Sequence, residues 1–157
     1  MSSIPKLVAS IAIALAAGAL GNLFTASAIP TWYAALNKPS FNPPSWIFAP
    51  VWGILYILMG VSLYLIWKRG TKTKKVRDAI YVFGVQLFLN AIWSPIFFGA
   101  KSIFFALIVI ILMWVYIIRT IGAFIRVDRT AGYLLYPYLV WVSFAAILNF
   151  SIWILNM

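Results

Sequence analysis

The chain reads as an all-α integral membrane protein: a single domain over residues 1–157, built as a bundle of five transmembrane helices with a long first loop. Three observations predict this. Hydrophobic residues make up 65% of the chain and charged residues 9%, whereas a soluble domain carries about a quarter charged residues. The mean hydropathy is +1.02. The apolar residues gather in five runs, 7–27, 46–67, 79–98, 102–124 and 131–154, each close to or above the ~20 residues that a helix needs to cross the hydrocarbon. Period-2 alternation is absent, which argues against a transmembrane barrel, and the links between runs are too short to hold a second domain.

The first run begins after Lys6, and its Ala26-Ser27-Ala28 end resembles a signal-peptide cleavage site. Its apolar stretch, however, exceeds the ~7–15 residues of a signal core. Ser10, Ala14 and Gly18, with Ala17 and Gly21, recur at four-residue spacing, which suits close helix packing. A retained first helix is the expectation, packed within the bundle or against a second subunit.

The link that follows, Trp32 to Trp46, holds three prolines and four large aromatics. Pro39, Pro43 and Pro44 each fix their own φ and restrict the residue before them. Pro43 and Pro44 stand just ahead of a hydrophobic helix, where a missing N–H costs least. The pattern predicts a stiff aromatic lid over whatever lies beneath.

The basic residues set the topology. Lys6, the cluster Lys68, Arg69, Lys72, Lys74, Lys75 and Arg77, and then Arg119, Arg126 and Arg129 fall on one side of the five spans, while Lys38 and Lys101 fall on the other. The positive-inside rule then predicts a cytoplasmic N-terminus, an external C-terminus and an external aromatic lid. The net charge of +10 is not interleaved with base-stacking aromatics. It is explained by orientation and anionic lipid, with no nucleic-acid partner.

Chemistry is narrowed by what is missing. With no cysteine and no histidine, thiol chemistry and the common soft-metal sites are excluded, and no metal site is expected. Asp78 and Asp128 are the only carboxylates, and both lie among basic residues at helix ends as candidates for solvated ion pairs. No acid sits at membrane depth to relay protons or to serve conventional acid–base hydrolysis. Five spans also divide poorly into the paired repeats of secondary transporters.

Polar and aromatic residues within the runs are more telling. Gln86, Asn90, Trp93, Ser94 and Phe97 share one face of the third helix. Pro137, Trp141, Ala145 and Asn149 follow at four-residue intervals in the fifth, and the second carries Trp52 and Tyr56. At 1.5 Å per residue Trp52 lies about 9 Å, and Asn90 about 12 Å, below the outer helix ends. These stripes meet at one level beneath the lid. Trp32, Trp46, Trp67 and Trp153 are accounted for as interfacial anchors, Gln86 and Asn149 as interhelical hydrogen-bonding groups, and Trp114 as packing or lipid contact. Trp52, Asn90, Trp93 and Trp141 are the residues for which a pocket is the better account.

At these residues the chain resembles the translocator protein or tryptophan-rich sensory protein family. Trp32–Trp46 continuing through Phe48 and Trp52, then Gln86-Leu87, Asn90, Trp93-Ser94-Pro95 and Phe97-Phe98, then Gly132, Pro137-Tyr138, Trp141, Ala145 and Leu148-Asn149 follow that family's pattern over essentially the whole chain. The resemblance implies a five-helix bundle that often dimerises, so a homodimer is expected. It implies as ligands porphyrins, sterol-like lipids and benzodiazepine-type drugs, with no required cofactor. It places Tyr33, Pro43, Trp52, Tyr56, Asn90, Trp93, Ser94, Trp141 and Ala145 in the pocket, with Trp52 and Asn90 offering N–H donors to a ligand carbonyl. One departure stands out: the family's sterol-recognition motif needs a Tyr and a following basic residue, and here Leu148–Ile154 has Phe150 and no Lys or Arg. Sterol binding at that place is therefore not expected.

Three functional classes follow. The first is a membrane receptor, sensor or translocator binding a flat hydrophobic ligand, with a porphyrin as the expected one. The second is a porphyrin-degrading photo-oxidative enzyme, which by the same resemblance would use Trp52 and Trp141. The third is a structural or partner-organising membrane protein.

Overall fold

The computed structural model describes residues 3–157, and no strand occurs among the described residues. The helices are α1 (Ser3–Ala28), α2 (Phe48–Trp67), α3 (Lys74–Ser94), α4 (Ile103–Ile125), the short α5 (Arg129–Tyr133) and α6 (Tyr136–Leu155). With the turns that extend them they form five spans, Ser3–Tyr33, Ser45–Trp67, Lys74–Gly99, Ile103–Ile125 and Arg129–Leu155, each long and apolar enough to cross a membrane. The expected all-helical, five-span fold is the one observed.

The first, third and fifth spans outrun their apolar stretches at both ends. Polar helix starts are held by caps that hydropathy does not register: the backbone N–H groups of Val76, Phe105 and Ala131 donate to the side chains of Thr73, Ser102 and Asp128, satisfying donors that a helix otherwise leaves orphaned. Proline does the rest. Pro30 and Pro95 lack the N–H that an α-turn requires, and the chain passes each by widening one turn to π geometry, at Ile29–Tyr33 and Pro95–Gly99. Thr31 Oγ1 donates to the Ser27 carbonyl at 2.8 Å, and Ala100 N donates to Pro95 O at 2.8 Å, so the loosened backbone groups find partners.

The first link is therefore shorter than Trp32–Trp46. Trp32 and Tyr33 belong to the extended first span, Ser45–Ile47 is a 3₁₀ turn leading into α2, and the irregular segment is residues 36–44. Lys38 closes the end of the first span by donating to the carbonyls of Tyr33 (2.9 Å), Leu36 (3.0 Å) and Ala34 (3.3 Å). Asn37 and Asn156 exchange hydrogen bonds of 3.0 and 2.8 Å, which tie the link to the C-terminal end of α6.

Glycine and other small residues set the helix spacing. A Cβ on Gly60 would lie 2.5 Å from the Ile11 Cα, and one on Gly18 would lie 2.4 Å from the Tyr56 ring. Thus α1 and α2 touch almost backbone to backbone in the half of the bundle that carries the basic residues. In the other half α1 leans on the third span instead, with Gly21 against Ser94 and Phe24 against Gly99. Ser10, Ala14, Ala17 and Gly21 are all buried, so the small-residue stripe is used within the bundle. The core of the basic half stacks Phe83 on Phe124 (centroids 5.7 Å apart) among Met59, Ile66, Met113 and Ile117. A second cluster, with Tyr33, Phe97, Phe98, Leu148 and Ile152, closes the loop end. Leu20, Leu23, Ile54, Phe88, Phe105, Val140 and Ile147 are exposed, as lipid-facing residues must be.

Candidate ligand pocket

Between these two clusters lies a cavity of about 430 Å³, within the ~300–1,000 Å³ of typical small-molecule sites. Its walls are aromatic. Trp52 stacks on Tyr56 with centroids 5.5 Å apart, Trp141 packs against Phe48 (6.3 Å) and Phe144 (5.6 Å), and Trp93 stacks on Phe97 at 4.9 Å. All seven residues line the cavity. The four-residue spacing of α3 and α6 puts Asn90, Trp93 and Ser94 on one wall and Trp141, Ala145 and Leu148 on another.

A chain of hydrogen bonds forms the polar floor. Tyr56 O–H donates to Asn90 Oδ1 at 2.5 Å, Asn90 Nδ2 donates to Tyr138 Oη at 2.9 Å, and Tyr138 O–H donates to Gln86 Oε1 at 2.7 Å. The donors all run the same way, from the cavity toward α3's buried interior. Asn90 is thereby largely committed inside the bundle, with one amide hydrogen left over. Trp93 is committed as well, donating from Nε1 to Asn149 Oδ1 at 3.1 Å, while Asn149 donates to the Ile103 carbonyl at 3.1 Å. Gln86 and Asn149 are thus the interhelical links that the sequence reading made them. Trp141 Nε1, like Gln86 Nε2 and Ser10 Oγ, is buried with no partner, a state that leaves a desolvation penalty of about 1–3 kcal/mol uncompensated. No carboxylate enters the site, since Asp128 lies at the basic end paired with Arg69 and Asp78 is within reach of Lys74. The cavity can stack a flat apolar molecule and donate hydrogen bonds to it.

The site opens sideways. Ala19 and Asn22 of α1 and Ala49 of α2 line the cavity and are also exposed, and a Cβ on Gly53 would meet nothing within 4 Å. Above the Gly18–Tyr56 contact, then, the seam between α1 and α2 is open to the surface that faces lipid.

This constellation can be set beside known proteins. The model of the TspO/MBR family matches residues 10–154. The chain belongs to the TspO/MBR family. The Tryptophan-rich protein TspO of Chlorobaculum tepidum is 46% identical over 146 residues, covering 93% of this chain and 92% of its own. The Translocator protein of Homo sapiens is 44% identical over 123 residues (78% and 73%), and the Tryptophan-rich sensory protein of Cereibacter sphaeroides is 39% identical over 125 (80% and 77%). This chain is accordingly a multi-pass membrane protein of the translocator and sensory-protein family.

In this TspO/MBR protein the cavity gathers Tyr33, Trp52, Tyr56, Asn90, Trp93, Ser94, Trp141 and Ala145, but not Pro43. The reason is the continuation of the first span past Pro30. It carries Tyr33 to the cavity on a helix, and it draws the shortened link toward Tyr33, whose O–H donates to Asn42 Oδ1 at 2.9 Å. Phe41 is the link residue that reaches the cavity wall, meeting Phe144 edge-on at 6.1 Å. Sequence reasoning missed Gly18, Asn22, Gly53 and Phe144 as lining residues. Asn22 carried a usable signal, a lone amide within an apolar run, whereas the glycines gave none because their role is to leave space. Trp114, expected to be packing or lipid contact, is 38% exposed and also donates to Ser143 Oγ at 2.8 Å.

Proposed function

We propose that this protein is a membrane receptor or translocator for a flat hydrophobic ligand of the porphyrin class, held in the aromatic cavity and exchanged with the bilayer between α1 and α2. The observation that carries the reading is the wall of stacked aromatic rings that Trp52, Trp93 and Trp141 build around one cavity. A tetrapyrrole supplies both of the things that such a wall lacks, a planar π-face and peripheral acceptors. The charge asymmetry supports the orientation with the basic end, and hence the N-terminus, in the cytoplasm.

The test is porphyrin titration of the detergent-purified protein, followed by quenching of tryptophan fluorescence. Trp141→Phe keeps an aromatic ring and removes the N–H. It is expected to weaken binding about five- to tenfold, the worth of one buried hydrogen bond of ~1–1.5 kcal/mol. Unchanged affinity would remove Trp141 from the site.

A further inference from the structure

A second cavity, of about 380 Å³, lies at the basic end and is lined by Lys6, Trp67, Arg69, Gly70, Thr71, Lys72 and Thr73. It is enclosed by the start of α1, the last turn of α2 and the turn into α3. Two of its three cations, Lys6 and Lys72, lack carboxylate partners for a reason that the composition makes plain. The chain holds twelve Lys and Arg against two Asp. Asp128 is engaged by Arg69 at 2.9 Å, and Asp78 lies 3.9 Å from Lys74. Lys6 and Lys72 therefore have no side-chain carboxylate left in the chain to pair with. Lys6 instead sits 5.7 Å from the centroid of the Trp67 ring.

The walls are held in place. Arg77 Nη1 donates to the carbonyls of Thr71 (3.0 Å) and Lys72 (2.8 Å), fixing the turn that begins at Gly70, whose φ of +86° is one that L side chains rarely adopt. Thr71 and Lys72 place their N–H groups on no protein acceptor among the described residues. Arg69 meets Asp128 through Nη2 and remains 53% exposed, so part of its guanidinium is free. The cavity thus concentrates two uncompensated positive charges and part of a third beside Trp67, at the end of the second span.

We propose that this cavity binds the phosphate head of an anionic phospholipid, with Lys6 and Lys72 as its main ligands and Arg69 as a third. Its depth and charge fit a lipid of the leaflet that this end of the bundle contacts, because basic pockets between transmembrane helices are suited to anionic headgroups. The site is separate from the aromatic cavity and does not depend on what that cavity binds.

Native mass spectrometry of the full chain, titrated with phosphatidylglycerol, phosphatidylcholine or inorganic phosphate, tests this. The expectation is one retained phosphatidylglycerol per chain, with weaker retention of phosphatidylcholine and no competition from millimolar phosphate. The double variant Lys6→Gln/Lys72→Gln should lose about tenfold or more in affinity, at roughly 1 kcal/mol per cation. Lys74→Gln/Lys75→Gln removes the same charge beside the cavity and should lose less than about threefold. Equal losses in the two variants would mean diffuse attraction and overturn the site. Competition by free phosphate would overturn the lipid as its occupant, and no retained phosphatidylglycerol would overturn both. An unaltered melting temperature in the first variant shows that the loss is not one of folding.

Discussion

The two halves of the bundle are made of the same five spans, yet one is closed and the other hollow. In the basic half Gly60 meets Ile11 and Phe83 stacks on Phe124 at 5.7 Å. In the loop half α1 turns away toward the third span, and Trp52, Trp93 and Trp141 line a cavity in the space left. Lipid tails are as apolar as leucine, so burial alone does not draw membrane helices together, and close contact has to be built from small residues. Where Gly60 lets α2 meet the backbone of α1 the bundle shuts. Where the facing residues are large rings that stack along the walls, it stays open.

The contrast can be broken from the closed side. Gly60→Leu forces a side chain onto the backbone of Ile11, which cannot give way as a flexible side chain would. It is expected to cost about 3 kcal/mol or more, seen as a large fall in melting temperature in detergent. Little or no change would mean that the α1–α2 contact is not what closes this half.

Tyr138→Phe acts at the boundary between the halves. It removes the hydroxyl that accepts from Asn90 and donates to Gln86, leaving buried amide groups unpaired. The expected cost is about 1–3 kcal/mol, together with weaker porphyrin binding as Asn90 loses its fixed orientation. Thermal melts and fluorescence titration of the same preparation measure both.

The smallest effect is at the basic surface. The Arg69 guanidinium, with help from the Ala131 N–H, holds the Asp128 carboxyl below its ordinary value of 3.8. A lowered value in the folded state means that the pair's contribution is complete above that ordinary value. It is lost as the pH falls through the lower, folded one. A modest stability gap between wild type and Asp128→Asn is therefore expected at neutral pH and should narrow as the pH drops below 4. A gap independent of pH would show that the ion pair contributes nothing.

Much of this was legible in the sequence because membrane segments announce themselves by length and hydropathy, and because helical spacing assembles Asn90, Trp93, Trp141 and Ala145 without any tertiary information. What stayed hidden was of two kinds. The sequence carries no sign of the π-turns by which the helices run on past Pro30 and Pro95; the first of these puts Tyr33 on a helix and leaves Pro43 outside the cavity. The identity of partners was also hidden: spacing cannot reveal that Trp93 donates to Asn149 while the Trp141 N–H has no acceptor, since both are indoles on inward faces. Gly53 was silent for the same reason that it matters, having no side chain to leave a pattern.

Gly53 also offers the most direct test of the central claim, that the hollow half is the binding site. It lines the cavity, and an added Cβ meets nothing within 4 Å, so a large side chain there fills the opening without straining the fold. Gly84, equally unobstructed but not among the cavity's lining residues, is the matched control. Porphyrin titration of Gly53→Phe and Gly84→Phe beside wild type should show about tenfold or greater loss for the first alone, with all three melting alike. Full porphyrin affinity in a folded Gly53→Phe protein would contradict the account.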